Sequence, residues 1–273
     1  MSAAPIASRL AAPPRVLVTR PAAEAKAWVT GLRALGIDAL AFPLIEILPV
    51  ADPGPVRAAW RAFDRYAAVM FVSPSAVAGF FDKKTALSSV NWSLDAIKTK
   101  AWSPGPGTSR ALRAAGWPAA CIDAPALESA QFDSEALWAR VGPQVRAGQH
   151  VLIVRGGDAA GRGAGRDWLA ARLAAAGAVV EEVVAYRRRA PVLDEARQAL
   201  AHQAAADGSV WLFSSSEAVR TLVGQLGGQD LRATRALATH PRIAEAARRA
   251  GLGVVWESRP TVDAVAASIK SIR

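Results

Sequence analysis

The chain repeats itself at long range. Arg20 and Arg155, Pro106 and Pro241, and Gly116 and Gly251 each stand 135 residues apart, and AWSPGPGTSRALRAAG at Ala101–Gly116 is matched by ALATHPRIAEAARRAG at Ala236–Gly251. The serine turns Ser73-Pro74-Ser75 and Ser214-Ser215-Ser216 read at an offset of 141, a small insertion between the copies. So long a period excludes a solenoid, whose repeats run to about 20–50 residues, and implies an internal duplication. The 273 residues leave room for two modest domains.

Each copy alternates short apolar runs with helical spacings. Val16-Leu17-Val18 closes on Thr19-Arg20-Pro21, and Ala22–Leu35 then places Ala25, Trp28, Val29, Leu32 and Leu35 on one helical face before Gly36 stops it. Ile37–Phe42 predicts the next strand, ended by Pro43. In the second copy Val151–Val154 runs into Arg155-Gly156-Gly157, a helix is expected from about Arg166 to Ala176, and a strand over Val179–Tyr186. Tyr66–Val72 and Val210–Phe213 read as further strands, each entering a serine turn. Runs that are apolar throughout fit parallel strands buried on both faces. The expected fold class is therefore α/β: two similar parallel-sheet domains with helices on both faces and a cleft between them, a common place for a ligand. Trp28, Trp138 and Trp168 lie on helical apolar stripes and are expected in cores.

A simple halving would cut near Pro125, but extended, proline-bounded stretches follow the first βαβ unit of each copy, at Pro43–Pro55 and Arg187–Pro191. Two linkers at equivalent places let the chain leave a domain and return. The expected division is a discontinuous domain of residues 1–44 and 190–273, with 1–14 a frayed tail, around a second domain of residues 45–189. That tail lacks the apolar stretch of a secretory signal, which reads as a cytoplasmic protein. No run approaches the roughly 18 unbroken apolar residues of a membrane helix.

Composition narrows the chemistry. Cys121 is the only cysteine, which excludes a disulfide framework, and His150, His202 and His240 are scattered, which argues against a histidine-built metal site. Lysine and arginine number 33 against 23 acids, a net +10. Arginine forks suit carboxylates and phosphates, although a GC-rich genome also writes arginine freely. The longest basic run is Arg187-Arg188-Arg189, too short for a nucleic-acid tail. The charge points to an anionic partner without naming it.

Strand-to-helix turns collect anions, because free N–H groups and the helix dipole both favour negative charge. Four turns qualify: Thr19-Arg20-Pro21, Ser73-Pro74-Ser75, Pro104-Gly105-Pro106-Gly107-Thr108 and Ser214-Ser215-Ser216; Thr239-His240-Pro241 repeats the third. Each serine or threonine also reads as a plain N-cap, and the glycines from Gly156 to Gly165 as a mobile loop. The nucleophile elbow, the zincin motif and C-x-x-C are absent. Tyr186 is the main titratable candidate, at a strand end before three arginines: a positive neighbour favours phenolate and burial favours phenol. Asp133 and Glu135 read as first-turn acids of a helix.

Taken in order, VLVTRP, AFPLIEI, FVSPSAV, GPGTSRALRAAG, FDSEAL, VLIVRG, VVAYRR, LFSSSEAV and PTVDAVAASI resemble the uroporphyrinogen-III synthase family from Val16 to Ile269. The resemblance implies two α/β domains joined by a two-stranded linker, and a monomeric lyase with no cofactor. Its reaction takes hydroxymethylbilane, a linear tetrapyrrole with eight carboxylates, expels the hydroxyl as water through an azafulvene and a spiro intermediate, and closes the ring with the last pyrrole inverted. It implies Tyr186 as the general acid, with Arg20, Ser73, Ser75, Gly105, Thr108, Arg155, Ser214, Ser215, Thr239 and His240 around the substrate. It also implies a transient contact with the preceding pathway enzyme, and no nucleic acid or membrane partner. One departure is Ile243, where some members carry a threonine. The alternatives are a non-catalytic two-domain protein that binds a polyanionic small molecule and, less favoured, a nucleic-acid binder.

Overall fold

The computed structural model of the protein describes residues 14–82, 98–129, 131–163 and 167–272. The N-terminal tail up to residue 13, Gly165 of the glycine-rich stretch and the expected helix start at Arg166 lie outside these residues. In chain order the strands are β1 (Val16–Val18), β2 (Ala39–Ala41), β3 (Glu46–Pro49), β4 (Tyr66–Phe71), β5 (Lys100–Trp102), β6 (Ile122–Asp123), β7 (His150–Gly157), β8 (Val179–Arg189), β9 (Val210–Phe213), β10 (Arg235–Ala238) and β11 (Val254–Glu257). The helices are α1 (Ala22–Ala34), α2 (Gly54–Arg61), α3 (Pro74–Asp82), α4 (Pro106–Ala114), α5 (Ser134–Val141), α6 (Trp168–Ala175), α7 (Glu195–Ala204), α8 (Ser216–Gln225), α9 (Pro241–Arg249) and α10 (Val262–Ser271). None of these is long and apolar enough to cross a membrane.

The chain forms two compact units, one from the segment up to Glu46 together with Ala190 onward, the other from Ile47–Arg189. The first holds a five-stranded sheet, β2-β1-β9-β10-β11, parallel throughout. The second holds β8-β7-β4-β5-β6, again parallel, with β3 beside β8 at the edge. β3 aside, the two orders correspond strand for strand, but each unit takes two of these five strands from one sequence copy and three from the other. The repeat in sequence is therefore not the folding unit.

Strand register corrects the alignment of the serine turns. Leu212 pairs with Val18 and Met70 with Ile153, and Val18 and Ile153 are themselves equivalent. Met70 thus matches Leu212 at an offset of 142 (70 and 212), which makes Ser73 the counterpart of Ser215 rather than Ser214. In sequence, Arg187-Arg188-Arg189 read as the start of an extended linker. These residues continue β8, with β3 from the Pro43–Pro55 stretch beside them. Strand pairing is a backbone property, and at the end of an edge pair alternate side chains can stay in solvent.

Among the described residues, Trp60, Trp117 and Trp211 are the most deeply buried tryptophans. Trp60 stacks on Phe63 and Phe80, with centroids 5.1 and 4.5 Å away, and its Nε1 donates to Phe80 O at 2.9 Å. Trp28, Trp138 and Trp168, expected in cores, are only half-buried at the core margins. Arg20 lies 4.3 Å over Trp28, and Arg172 lies 5.7 and 5.8 Å over Trp138 and Trp168. A ring between core and solvent presents an outer face that a guanidinium can cover.

At the amino ends of the second unit's strands, Glu181 accepts from Tyr66 Oη at 3.0 Å and pairs with Arg65, with His150 Nδ1 at 3.2 Å. Burial opposes the Glu181 charge, but the hydrogen bonds to His150 and Tyr66 and the Arg65 charge outweigh it and hold the carboxyl below its ordinary value. Burial dominates at Tyr66 and raises its phenol. A carboxyl depressed by folding stabilises above its unfolded pKa, about 4.3, and that stabilisation fades as pH falls through the folded value. Glu181→Gln should therefore lower the melting temperature at neutral pH, and the gap to the parent should close on acidification below about pH 4. A gap that is constant with pH would refute the linkage.

Candidate active site

In each parallel sheet the carboxyl ends of the strands feed helix N-termini, where backbone donors and the helix dipole converge. In the second unit Ser73 links β4 to α3, and its Oγ accepts from Ala76 N at 3.1 Å as an N-cap. The same Oγ lies 3.0 Å from the Tyr186 Oη. Tyr186, on β8, is 5% exposed. Its ring fits because the neighbouring residue on β7 is glycine: a β-carbon at Gly156 would lie 2.5 Å from Tyr186 Cζ and 2.8 Å from its Oη. Strand pairing skips Ala185, passing from Arg155 with Val184 to Gly156 with Tyr186. Such an irregularity re-aims a side chain at a sheet edge. Behind the tyrosine, α3 approaches so closely that a β-carbon at Gly79 would lie 2.3 Å from Ala185 O.

The glycine turn after β5 is neighbour to the serine turn, since a β-carbon at Gly107 would lie 3.7 Å from Pro74 Cγ. Ser103 Oγ donates to Gly105 O at 2.8 Å and receives Ser109 Oγ at 3.0 Å, which fixes the turn from within. Thr108 is buried in the first turn of α4, and Ser75 is half-buried in the first turn of α3. The structure thus brings Ser73, Ser75, Gly105, Thr108 and Tyr186 to one edge of one sheet. Tyr66 begins its strand and lies at the opposite edge.

The two arginines singled out in sequence are engaged within the chain. The Arg155 Nη1 donates to Glu182 at 2.5 Å and to Asp167 at 2.8 Å, with the side chain 6% exposed. Burial opposes its charge, but those two acids hold the guanidinium above its ordinary range. The Arg20 Nη1 donates to Glu24 one helical turn on, at 3.1 Å. Sequence reasoning used Arg187 only as one of three positive neighbours of Tyr186, not as a site residue. Its Nε donates to Pro49 O at 3.0 Å and its Nη1 to Ala159 O at 3.4 Å. Among the described residues it has no acidic partner, so its position is fixed while its charge is not neutralised. Gly156 and Gly79 were also missed as site-shaping residues. The Gly156-Gly157 pair was visible, but read as the start of a mobile loop, whereas both residues belong to β7.

In the first unit, Ser215 Oγ caps α8 by accepting from Glu217 N at 3.1 Å, and His240 Nδ1 caps α9 by accepting from Arg242 N at 3.1 Å. The Ser214 Oγ is buried and has no hydrogen-bond partner among the described residues. Thr239 is buried at the end of β10. Ile243 is buried in α9, where an apolar side chain packs at no polar cost.

Comparisons with known proteins converge. The family described as uroporphyrinogen-III synthase HemD matches residues 26–267. A protein of Chlorobaculum parvum named uroporphyrinogen-III synthase is 26% identical over 218 residues, covering 79% of this chain and 80% of its own. A crystal structure of a mutant uroporphyrinogen III synthase from Thermus thermophilus aligns at TM-score 0.57 and 18% identity, over 94% of this chain and 97% of that one. One of uroporphyrinogen-III synthetase from Helicobacter pylori aligns at TM-score 0.55 and 14% identity, over 95% and 100%. These structures share the two-sheet α/β architecture. With the match spanning most of both sheets, the chain belongs to the uroporphyrinogen-III synthase family, cyclising lyases of tetrapyrrole biosynthesis.

Proposed function

We propose that the chain closes hydroxymethylbilane to uroporphyrinogen III and that Tyr186 protonates the departing hydroxyl. The observation that supports this is the tyrosine itself: a buried phenol at the carboxyl edge of a parallel sheet, hydrogen-bonded to the cap of α3. A general acid must be protonated, and an enclosed phenol meets that condition at neutral pH. The helix N-termini at Ser75, Gly105 and Thr108 in one unit, and at Ser214, Ser215, Thr239 and His240 in the other, supply donors for the substrate's carboxylates. Arg187, the next residue of β8, adds an unneutralised charge on the opposite face of the strand from the phenol. Arg20 contributes at the margin, and Arg155, enclosed by its two acids, shapes the loop after β7. Action as a single cytoplasmic chain, handed its substrate by the preceding enzyme, is part of the same proposal.

The test supplies hydroxymethylbilane generated in situ and resolves the product isomers. Type III product supports the assignment; only the spontaneous type I isomer would reject it. Tyr186→Phe is expected to lower kcat on the order of 10²-fold without abolishing turnover, because binding and backbone donors remain. An unchanged rate would remove Tyr186 from the chemistry.

A further inference from the structure

We infer that Ser73 is a positioning residue that makes Tyr186 a better acid, by donating a hydrogen bond to the phenolate that forms when the proton leaves. This rests on Tyr186 being the proton donor. The geometry carries it in three steps. The Ser73 Oγ already accepts from Ala76 N at 3.1 Å, so one of its lone pairs is directed into α3 and its own hydrogen is left to point elsewhere. The Tyr186 Oη lies 3.0 Å from that same Oγ. When Ser73 donates along this line, the phenol hydrogen is turned away from the serine and toward the reacting group.

The phenol proton passes to the leaving hydroxyl oxygen, the substrate C–O bond breaks with its electron pair on that oxygen, and water departs. The positive charge left on the substrate is spread over the pyrrole, and the negative charge stays on Tyr186 Oη. From that moment Ser73 can only be the donor of the pair. Ala76 N–H and the nine-residue α3 polarise its hydroxyl. Gly156 completes the arrangement, since no other residue leaves space for the ring at that height. The serine turn thus supports the acid and is more than a helix cap.

The discriminating variants separate capping from donation. Ser73→Ala loses both; Ser73→Thr keeps both; Ser73→Asp keeps the cap, aspartate being a strong N-cap, but cannot donate when ionised and repels phenolate. The chain has two tyrosines, so carbon-13 labelling at Cζ resolves both titrations by NMR, and Tyr186→Phe assigns them. The Tyr186 titration should move up by roughly one pH unit in Ser73→Ala and further in Ser73→Asp, and stay near the parent in Ser73→Thr. Turnover should fall on the order of 10-fold in Ser73→Ala. The alkaline limb of its kcat profile should move to higher pH, a displacement that loss of a cap alone does not produce. A Tyr186 titration unmoved in both Ser73→Ala and Ser73→Asp overturns the inference and leaves the tyrosine's own role standing. An unchanged rate in Tyr186→Phe overturns the role on which it rests.

Discussion

Gly156→Ala should cost turnover on the order of 10²-fold while leaving most of the protein folded. The added β-carbon would sit 2.5 Å from Tyr186 Cζ and 2.7 Å from Cε2, a distance at which one of the two must move. Gly156 is hydrogen-bonded into β7, which pairs with β8 there and with β4 up to Val154, so its backbone yields less readily than a side-chain ring that can rotate. The phenol is therefore what shifts, and a displacement near 1 Å of a reacting group is worth about that factor. Overpacking of this kind costs about 1–3 kcal/mol, so a folded but slow enzyme is the expected result. The same change in a Tyr186→Phe background should add little, because the group being displaced has already lost its proton. If the two losses multiply instead, Gly156 acts by some route other than the tyrosine.

What the sequence showed and hid divides along physical lines. Val16–Val18 and Val210–Phe213 were legible because interior parallel strands are apolar at every position, and α1 because its buried face recurs at helical spacing. The exchange of strands between the two sequence copies was not legible in the repeat, since the repeat is a local signal and partner choice is not. Ser73 and Ser215 were misaligned by counting serines alone, although Phe71 with Phe213 and Ala76-Val77 with Ala218-Val219 already favour the offset of 142 that register confirms. The acid at Glu24 was within reach of sequence reasoning, four residues from Arg20. Glu182, which holds Arg155, was not, because only the pairing of β7 with β8 brings them together. The charge was real but misleading in detail: Arg20 and Arg155, the two singled out, are paired with acids, whereas Arg187, which was not, has no acidic partner among the described residues.

Two glycines in helices give the second large effect, with opposite signs. Gly79 faces β8 across α3, where a β-carbon would lie 2.3 Å from Ala185 O and 3.0 Å from its carbonyl carbon. Both atoms are backbone, so no rotamer change relieves the clash and α3 must move away. That helix carries Phe80, stacked on Trp60 in the core, and begins at Ser73. Gly79→Ala should therefore destabilise the fold by about 1–3 kcal/mol and lower turnover as well, since the cap that meets Tyr186 moves with the helix. Gly224, in α8, meets nothing within 4 Å, and there alanine only removes freedom from the unfolded chain. Gly224→Ala should add about 0.5–1 kcal/mol and leave turnover unchanged. Denaturant unfolding and isomer-resolved turnover on both variants decide the matter. If Gly79→Ala gains stability as Gly224→Ala does, then α3 does not rest on β8 as closely as described, and the support it lends to Tyr186 fails with it.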